Sequence, residues 1–130
     1  MTSKMWNLTL NSLNCRGLRS KTKREVVFDW LKKYNRSITL LQETHSDPSV
    51  EKQWEKEYGG TIIFCHGTSN SKGVAILIPK MLNVTLLDQD KDDGGRILVI
   101  HIECENENLI ITNVCAPTKD DNLGQEQYLP

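Results

Sequence analysis

Ile38-Thr-Leu-Leu-Gln-Glu43 is an apolar run too short for a helix, and it ends on a carboxylate. It reads as a short buried strand running into Glu43. Upstream, Val26, Val27, Trp30, Leu31 and Tyr34 recur at one-face helical spacing, which predicts an amphipathic helix over 23–34. Its opposite face carries Lys23, Arg24, Lys32 and Lys33, and Thr22 with Glu25 has the form of a capping box. Before that helix, residues 6–13 alternate apolar and polar as a half-buried strand does, and Asn14-Cys-Arg-Gly17 breaks the pattern. Downstream, Asp47-Pro48 is a helix start; Val50, Trp54 and Tyr58 line up one turn apart, and Gly59-Gly60 stops the helix. Strands follow over 61–65, 73–78, 82–87, 96–104 and 109–115, with a hairpin connection at 105–108. The order β-α-β-α and then a run of strands predicts a layered α/β protein, with helices outside a sheet that packs on something else.

The 130 residues are enough for one domain of ordinary size. At 38% apolar and 25% charged, with a mean hydropathy of −0.46, the chain is neither a long disordered segment nor a coiled coil. It holds no apolar run of membrane-spanning length, and its first residues lack the apolar core of a secretory signal. The expected setting is intracellular, nucleus or cytoplasm. Cys15, Cys65, Cys104 and Cys115 are far apart, contain no C-x-x-C pair and are expected to be reduced thiols, with no disulfide and no structural zinc. Net charge is −1, but residues 16–36 hold eight basic and two acidic groups, whereas residues 88–130 hold three basic and ten acidic. Such a split suits either a solvated basic helix or a face that meets phosphate.

Most chemical motifs fail on spacing. Asp88-Gln-Asp90-Lys-Asp92-Asp93-Gly94 imitates a calcium loop, but its glycine is one place late and Val99 stands where a bidentate glutamate is required, so it reads as an acidic turn between strands. His45, His66 and His101 have no zinc spacing. Phosphate loops and a nucleophile elbow are missing from the sequence. What remains is Glu43 at one strand end and Asn14 at another. If those strands are parallel neighbours, both side chains emerge at one sheet edge, where a glutamate beside an asparagine can hold a hydrated magnesium ion and orient a phosphate.

Asn14-Cys-Arg-Gly17, Leu41-Gln-Glu-Thr-His45, Gly73-Val-Ala-Ile-Leu77, Gly95-Arg96 and Asn113-Val-Cys-Ala-Pro-Thr118 together, in this order and spacing, resemble the exonuclease–endonuclease–phosphatase superfamily. Within it the likeness is to the endonuclease domain of LINE-type retrotransposons, relatives of the apurinic/apyrimidinic endonucleases. The resemblance implies a four-layer α/β sandwich, two packed and mainly antiparallel sheets with outer helices, of which residues 1–130 are the N-terminal portion. It implies Glu43 as the metal-binding glutamate, with magnesium as cofactor and manganese as the alternative, and Asn14 beside it in a catalytic site. It also implies DNA as the partner, with Arg16, Arg19, Lys21, Lys23 and Arg96 meeting its phosphates.

Two positions depart from the pattern: Cys115 stands where the family has tyrosine, and Thr118 where it has asparagine. A thiol is a far weaker donor than a phenol, and losing one transition-state donor costs roughly 2.7–4 kcal/mol. The family's D-x-N motif, its later aspartate and its terminal Asp–His pair have no counterpart within these residues. The expectation is therefore a truncated domain with little or no nuclease activity by itself, marginally stable and able to self-associate through exposed sheet edges. The competing expectations are a phosphatase or ribonuclease of the same superfamily, or a non-catalytic remnant that binds nucleic acid through residues 16–36.

Overall fold

The structure, a computed structural model, describes residues 8–115. The chain runs through β1 (Thr9–Asn14), α1 (Lys21–Leu31), β2 (Ser37–Gln42), a 3₁₀ turn (Pro48–Val50) that leads into α2 (Glu51–Tyr58), then β3 (Thr61–Cys65), β4 (Val74–Ile78), β5 (Val84–Lys91), β6 (Ile97–Cys104) and β7 (Glu107–Val114). One sheet has the order β1-β2-β4-β3, the other β5-β6-β7. β1 and β2 are parallel, as the helix between them requires, and every other pairing is antiparallel.

The period-2 alternation of β3 and β4 builds both cores at once. Ile63, Cys65, Val74, Ile76 and Ile78 face the second sheet, where they meet Leu98, Ile100, Ile102, Cys104 and Ile111. Ile62, Phe64, Ala75 and Leu77 face the other way and receive Phe28, Leu31, Trp54 and Tyr58 from the helices. The described residues thus form three layers, helices on sheet on sheet. No described helix is long and apolar enough to cross a membrane. Four thiols are buried and free.

Helix α1 turns a different face inward from the one its apolar spacing predicts. Arg24, Phe28 and Leu31 are buried, whereas Val26 is 68% exposed and Trp30 and Tyr34 pack edge-on against each other at the surface. The reason is Arg24. Its guanidinium bonds Glu57 of α2 through Nε (2.7 Å) and Nη2 (3.2 Å), donates to the carbonyls of Leu18 and Arg19, and lies 5.4 Å from the Trp54 ring. A fully partnered arginine buries its stem as an apolar residue would. The cap differs too: Ser20 accepts from the Lys23 amide, and Thr22 is exposed inside the helix.

Two connections also shift. Residues 88–91 belong to β5, an edge strand whose charges suit an unpaired side, so only the stretch beyond them forms the acidic turn. Asp92 Oδ1 closes that turn by accepting from the Arg96 and Ile97 amides. The β6–β7 hairpin uses two residues, Glu105 and Asn106, both at positive φ, so residues 107 and 108 are already strand.

Candidate active site

Parallel pairing sets β1 and β2 in register, Asn14 opposite Gln42, so both strands end at one edge. There Asn14 Nδ2 donates to Glu43 Oε2 at 2.6 Å, while Asn14 Oδ1 accepts from the Arg16 amide at 3.1 Å. The two bonds fix a single orientation of the amide. Glu43 Oε1 accepts no hydrogen bond among the described residues, so one carboxylate oxygen is held and the other presented.

The backbone around Glu43 is strained and tied down. Six described non-glycine residues have positive φ; two make the β6–β7 turn, and the other four are Arg16, Glu43, His45 and Lys72 at this edge. Such residues cost roughly 1–2 kcal/mol each and persist where neighbours over-determine them. The ties are visible. Gly17 N donates to Glu43 O (2.6 Å), Leu18 N to Thr44 O, Thr44 N to Gly73 O, His45 N to Lys72 O and Gly73 N to Gly95 O. Gly17, at φ +91, lies so close to His45 that a Cβ there would stand 2.6 Å from Nδ1.

Cys115 follows β7 and is buried against the same turn. Its amide donates to Arg96 O (2.8 Å), and the Glu43 backbone hydrogen-bonds its sulfur. Burial pushes its thiol above the usual cysteine value, with the Glu43 charge adding and Arg96 and Lys72 opposing. Cys15 beneath Glu43 is pushed up to about 11, again by burial, with Lys23 opposing. Burial holds His45 below its ordinary value against the pull of Glu43, and Lys23 adds to the lowering. Glu43 is thus one carboxylate set among Lys23, Lys72 and Arg96.

The edge therefore gathers Asn14, Glu43, Cys115, Arg16, Lys23 and Arg96 of the residues singled out from sequence. Lys23 Nζ also caps the turn, donating to Arg16 O at 3.3 Å. Arg19 is drawn instead into an ion pair with Asp47 at 2.9 Å, and hydrogen bonds from Ser49 and Arg19 hold that carboxyl at about 2. Lys21 opens α1 on its exposed side, near enough to Glu57 to help lower its pKa. Arg24 and Arg36 are committed to Glu57 and Glu105, so the basic segment offers fewer cations to a ligand than its composition suggests.

Sequence reading weighed His45 only as a zinc ligand and as part of the L-Q-E-T-H block, and passed over Lys72. Lys72 sits in a polar loop with no apolar pattern, and only the β2–β4 pairing brings it to Glu43. The signal was the adjoining Gly73: its φ of +93 and its contact with Thr44 leave no place for a side chain. Asn113 has another role. Fully buried on β7, it donates through Nδ2 to Leu41 O (2.9 Å) and Ala75 O (2.8 Å), and accepts from Gln42 Nε2 (2.8 Å). It joins the two sheets beside the site.

The donor set suits a hard, hydrated cation. Among the described residues no three His, Cys, Asp or Glu side chains converge as a metal cage. One carboxylate with one oxygen presented is how magnesium is usually held, the remaining positions going to water and substrate. Soft or tetrahedral metals would want the thiols, which burial keeps protonated.

Comparison with known proteins bears on the family and the fold. The model of the Endonuclease/Exonuclease/phosphatase family matches residues 8–128. A Xenopus laevis protein, the transposon TX1 uncharacterized 149 kDa protein, is 31% identical over 111 residues, 85% of this chain and 8% of that protein. Among solved structures, truncated Caenorhabditis elegans TDP2 superposes with a TM-score of 0.66 at 19% identity, covering 89% of this chain and 49% of that one. An AP endonuclease from Archaeoglobus fulgidus gives 0.62 at 21% identity, covering 92% and 45%. At these identities the likeness concerns the fold, and the chain spans about half the length of each solved structure and under a tenth of the transposon protein.

Proposed function

The chain belongs to the endonuclease/exonuclease/phosphatase family, and from that premise we propose that it is the metal-binding half of a magnesium-dependent endonuclease, of retrotransposon type, that nicks DNA. The observation that carries this reading is the 2.6 Å bond from Asn14 Nδ2 to Glu43 Oε2 at the shared end of two parallel strands. Glu43 would hold magnesium, or manganese in its place, through its other oxygen. When bound, the ion supplies charge neutralisation at the phosphate and at the leaving oxygen. Asn14 orients the carboxylate. Arg16, Lys23 and Arg96, with Lys72, hold the nonbridging phosphate oxygens. Arg19 and Lys21 meet flanking phosphates, Arg19 by exchanging Asp47 for DNA.

Cys115 stands at the family's tyrosine place and contributes little there, because its thiol is buried, protonated and a weak donor. The described residues supply no general base aimed at a water beside Glu43, so proton transfer belongs to the half of the domain that the solved relatives carry and these residues do not. The setting is intracellular, nucleus or cytoplasm.

The test is nicking of supercoiled plasmid with magnesium or chelator. The 130-residue chain alone should show little activity. A chain extended to the full family domain should nick, and Glu43→Gln should remove that activity by a factor of a hundred or more. Salt-sensitive DNA retention that survives Glu43→Gln in an extended chain that never nicks would favour the non-catalytic binding reading instead.

A further inference from the structure

Next to Glu43 the chain buries two hydroxyls that the proposed chemistry does not use. Thr44 and Ser46 are fully inaccessible, and their oxygens lie 2.8 Å apart. Ser46 Oγ is 2.9 Å from His66 Nδ1, and His66 Nε2 is 2.5 Å from Glu51 Oε2. Phe64 stacks on the imidazole at 5.0 Å and fixes its plane. An ionised carboxylate only accepts, so His66 Nε2–H donates to Glu51. In the tautomer that carries its proton on Nε2, Nδ1 is the acceptor for the Ser46 hydroxyl, and Ser46 Oγ the acceptor for that of Thr44. Thr44 Oγ1, Ser46 Oγ and both ring nitrogens of His66 thus each have a partner. The order resembles a hydrolase relay, but Ser46 is buried and cannot reach a substrate, so its work is mechanical.

We propose that Glu51, His66, Ser46 and Thr44 form a tether that holds the Glu43 turn in its metal-binding conformation, with His66 as the positioning residue; this rests on the reading that Glu43 binds the metal. The tethered residues alternate with the strained ones: Glu43 and His45 are at positive φ, Thr44 and Ser46 are anchored. Two left-handed residues flanking an anchored one would relax if the anchor were lost, because a buried hydroxyl without a partner costs about 1–3 kcal/mol. The far end of the tether is Glu51, the first residue of α2 and half-exposed, where a carboxylate also suits the helix N-terminus. The position of Glu43 is thus referred to α2 and β3, elements that do not themselves touch the site.

The test uses the 130-residue chain and variants Glu51→Ala, Ser46→Ala and Glu51→Gln. Amide hydrogen exchange is followed at Thr44 and His45, whose N–H groups bond Gly73 O and Lys72 O, and Mn²⁺ is titrated by paramagnetic broadening around residue 43. Glu51→Ala and Ser46→Ala should speed exchange at 44 and 45 and weaken Mn²⁺ binding about tenfold, the usual scale for a lost supporting hydrogen bond. Exchange in β6 should not change. Glu51→Gln keeps an acceptor for His66 and should restore both readouts. Unchanged exchange and Mn²⁺ binding in both alanine variants, or equal acceleration in β6, would overturn the tether. Faster exchange with Mn²⁺ broadening that Glu43→Gln leaves unaltered would support the tether and overturn the metal reading.

Discussion

Gly17 shows how narrowly the residues of the site are specified. At φ +91, with His45 behind it, Gly17→Ala should cost about 1–2 kcal/mol in thermal or denaturant unfolding and displace His45. The thiols give a second check at this scale. Burial pushes Cys15 and Cys65 up to about 11 and raises Cys104 and Cys115, so at pH 8 all four should resist iodoacetamide until denaturant is added. Rapid labelling of Cys115 alone would show that the site face opens in solution. The positions of Asn14 and Glu43 at strand ends were legible in the sequence from short-range pattern, an alternating strand before one and an apolar run before the other. Lys72 was not legible. Its place at the site arises from the pairing of β2 with β4, segments far apart in the chain, and apart from the adjoining Gly73 nothing local to Lys72 reports it.

At the scale of elements the Arg24–Glu57 pair decides how the helices sit. Both side chains are largely buried, at 10% and 16% exposure, and they link α1 to α2. Glu57→Ala should cost about 3 kcal/mol by leaving the guanidinium unpaired, whereas Arg24→Met with Glu57→Leu should restore much of that stability. Hydrogen bonds from Arg24 hold the Glu57 carboxyl below its ordinary value of 4.5. A depressed folded-state pKa stabilises above that ordinary value, and the contribution is lost as pH falls through the lowered one. Thermal melts of the parent chain should therefore fall more steeply below about pH 4.5 than those of the double variant. Strand β1 was legible from period-2 alternation, β2 from its short apolar run, the later strands from their Ile, Val, Leu and Thr content between turn residues, and the second helix from its three aromatic and aliphatic positions. The inward face of α1 was not. Hydropathy counts arginine as solvent-facing, and only a partner on α2 makes Arg24 a core residue.

At the scale of the whole molecule, sheet order leaves β1, β3, β5 and β7 with one described neighbour each, and Leu10 on β1 is 55% exposed. The expected outcome is concentration-dependent self-association, read by light scattering, that disappears when the chain is extended to the length of its solved relatives. The layered class was legible from the order β-α-β-α followed by a run of strands. The full extent of the layers was not, since a sandwich core is shared between segments far apart in the chain. Asn113 makes that dependence concrete: Asn113→Ala should cost about 3 kcal/mol by removing the donor to two buried carbonyls. It also sets an order of events during synthesis. Gln42, the residue before Glu43, gains its Asn113 partner only after 71 more residues have left the ribosome. A nascent chain stopped short of β7 carries the whole N-C-R-G and L-Q-E-T-H text, yet lacks the Asn113 hydrogen bonds that join the end of β2 to the second sheet, so the metal affinity proposed for Glu43 should rise late in translation, with the emergence of residue 113.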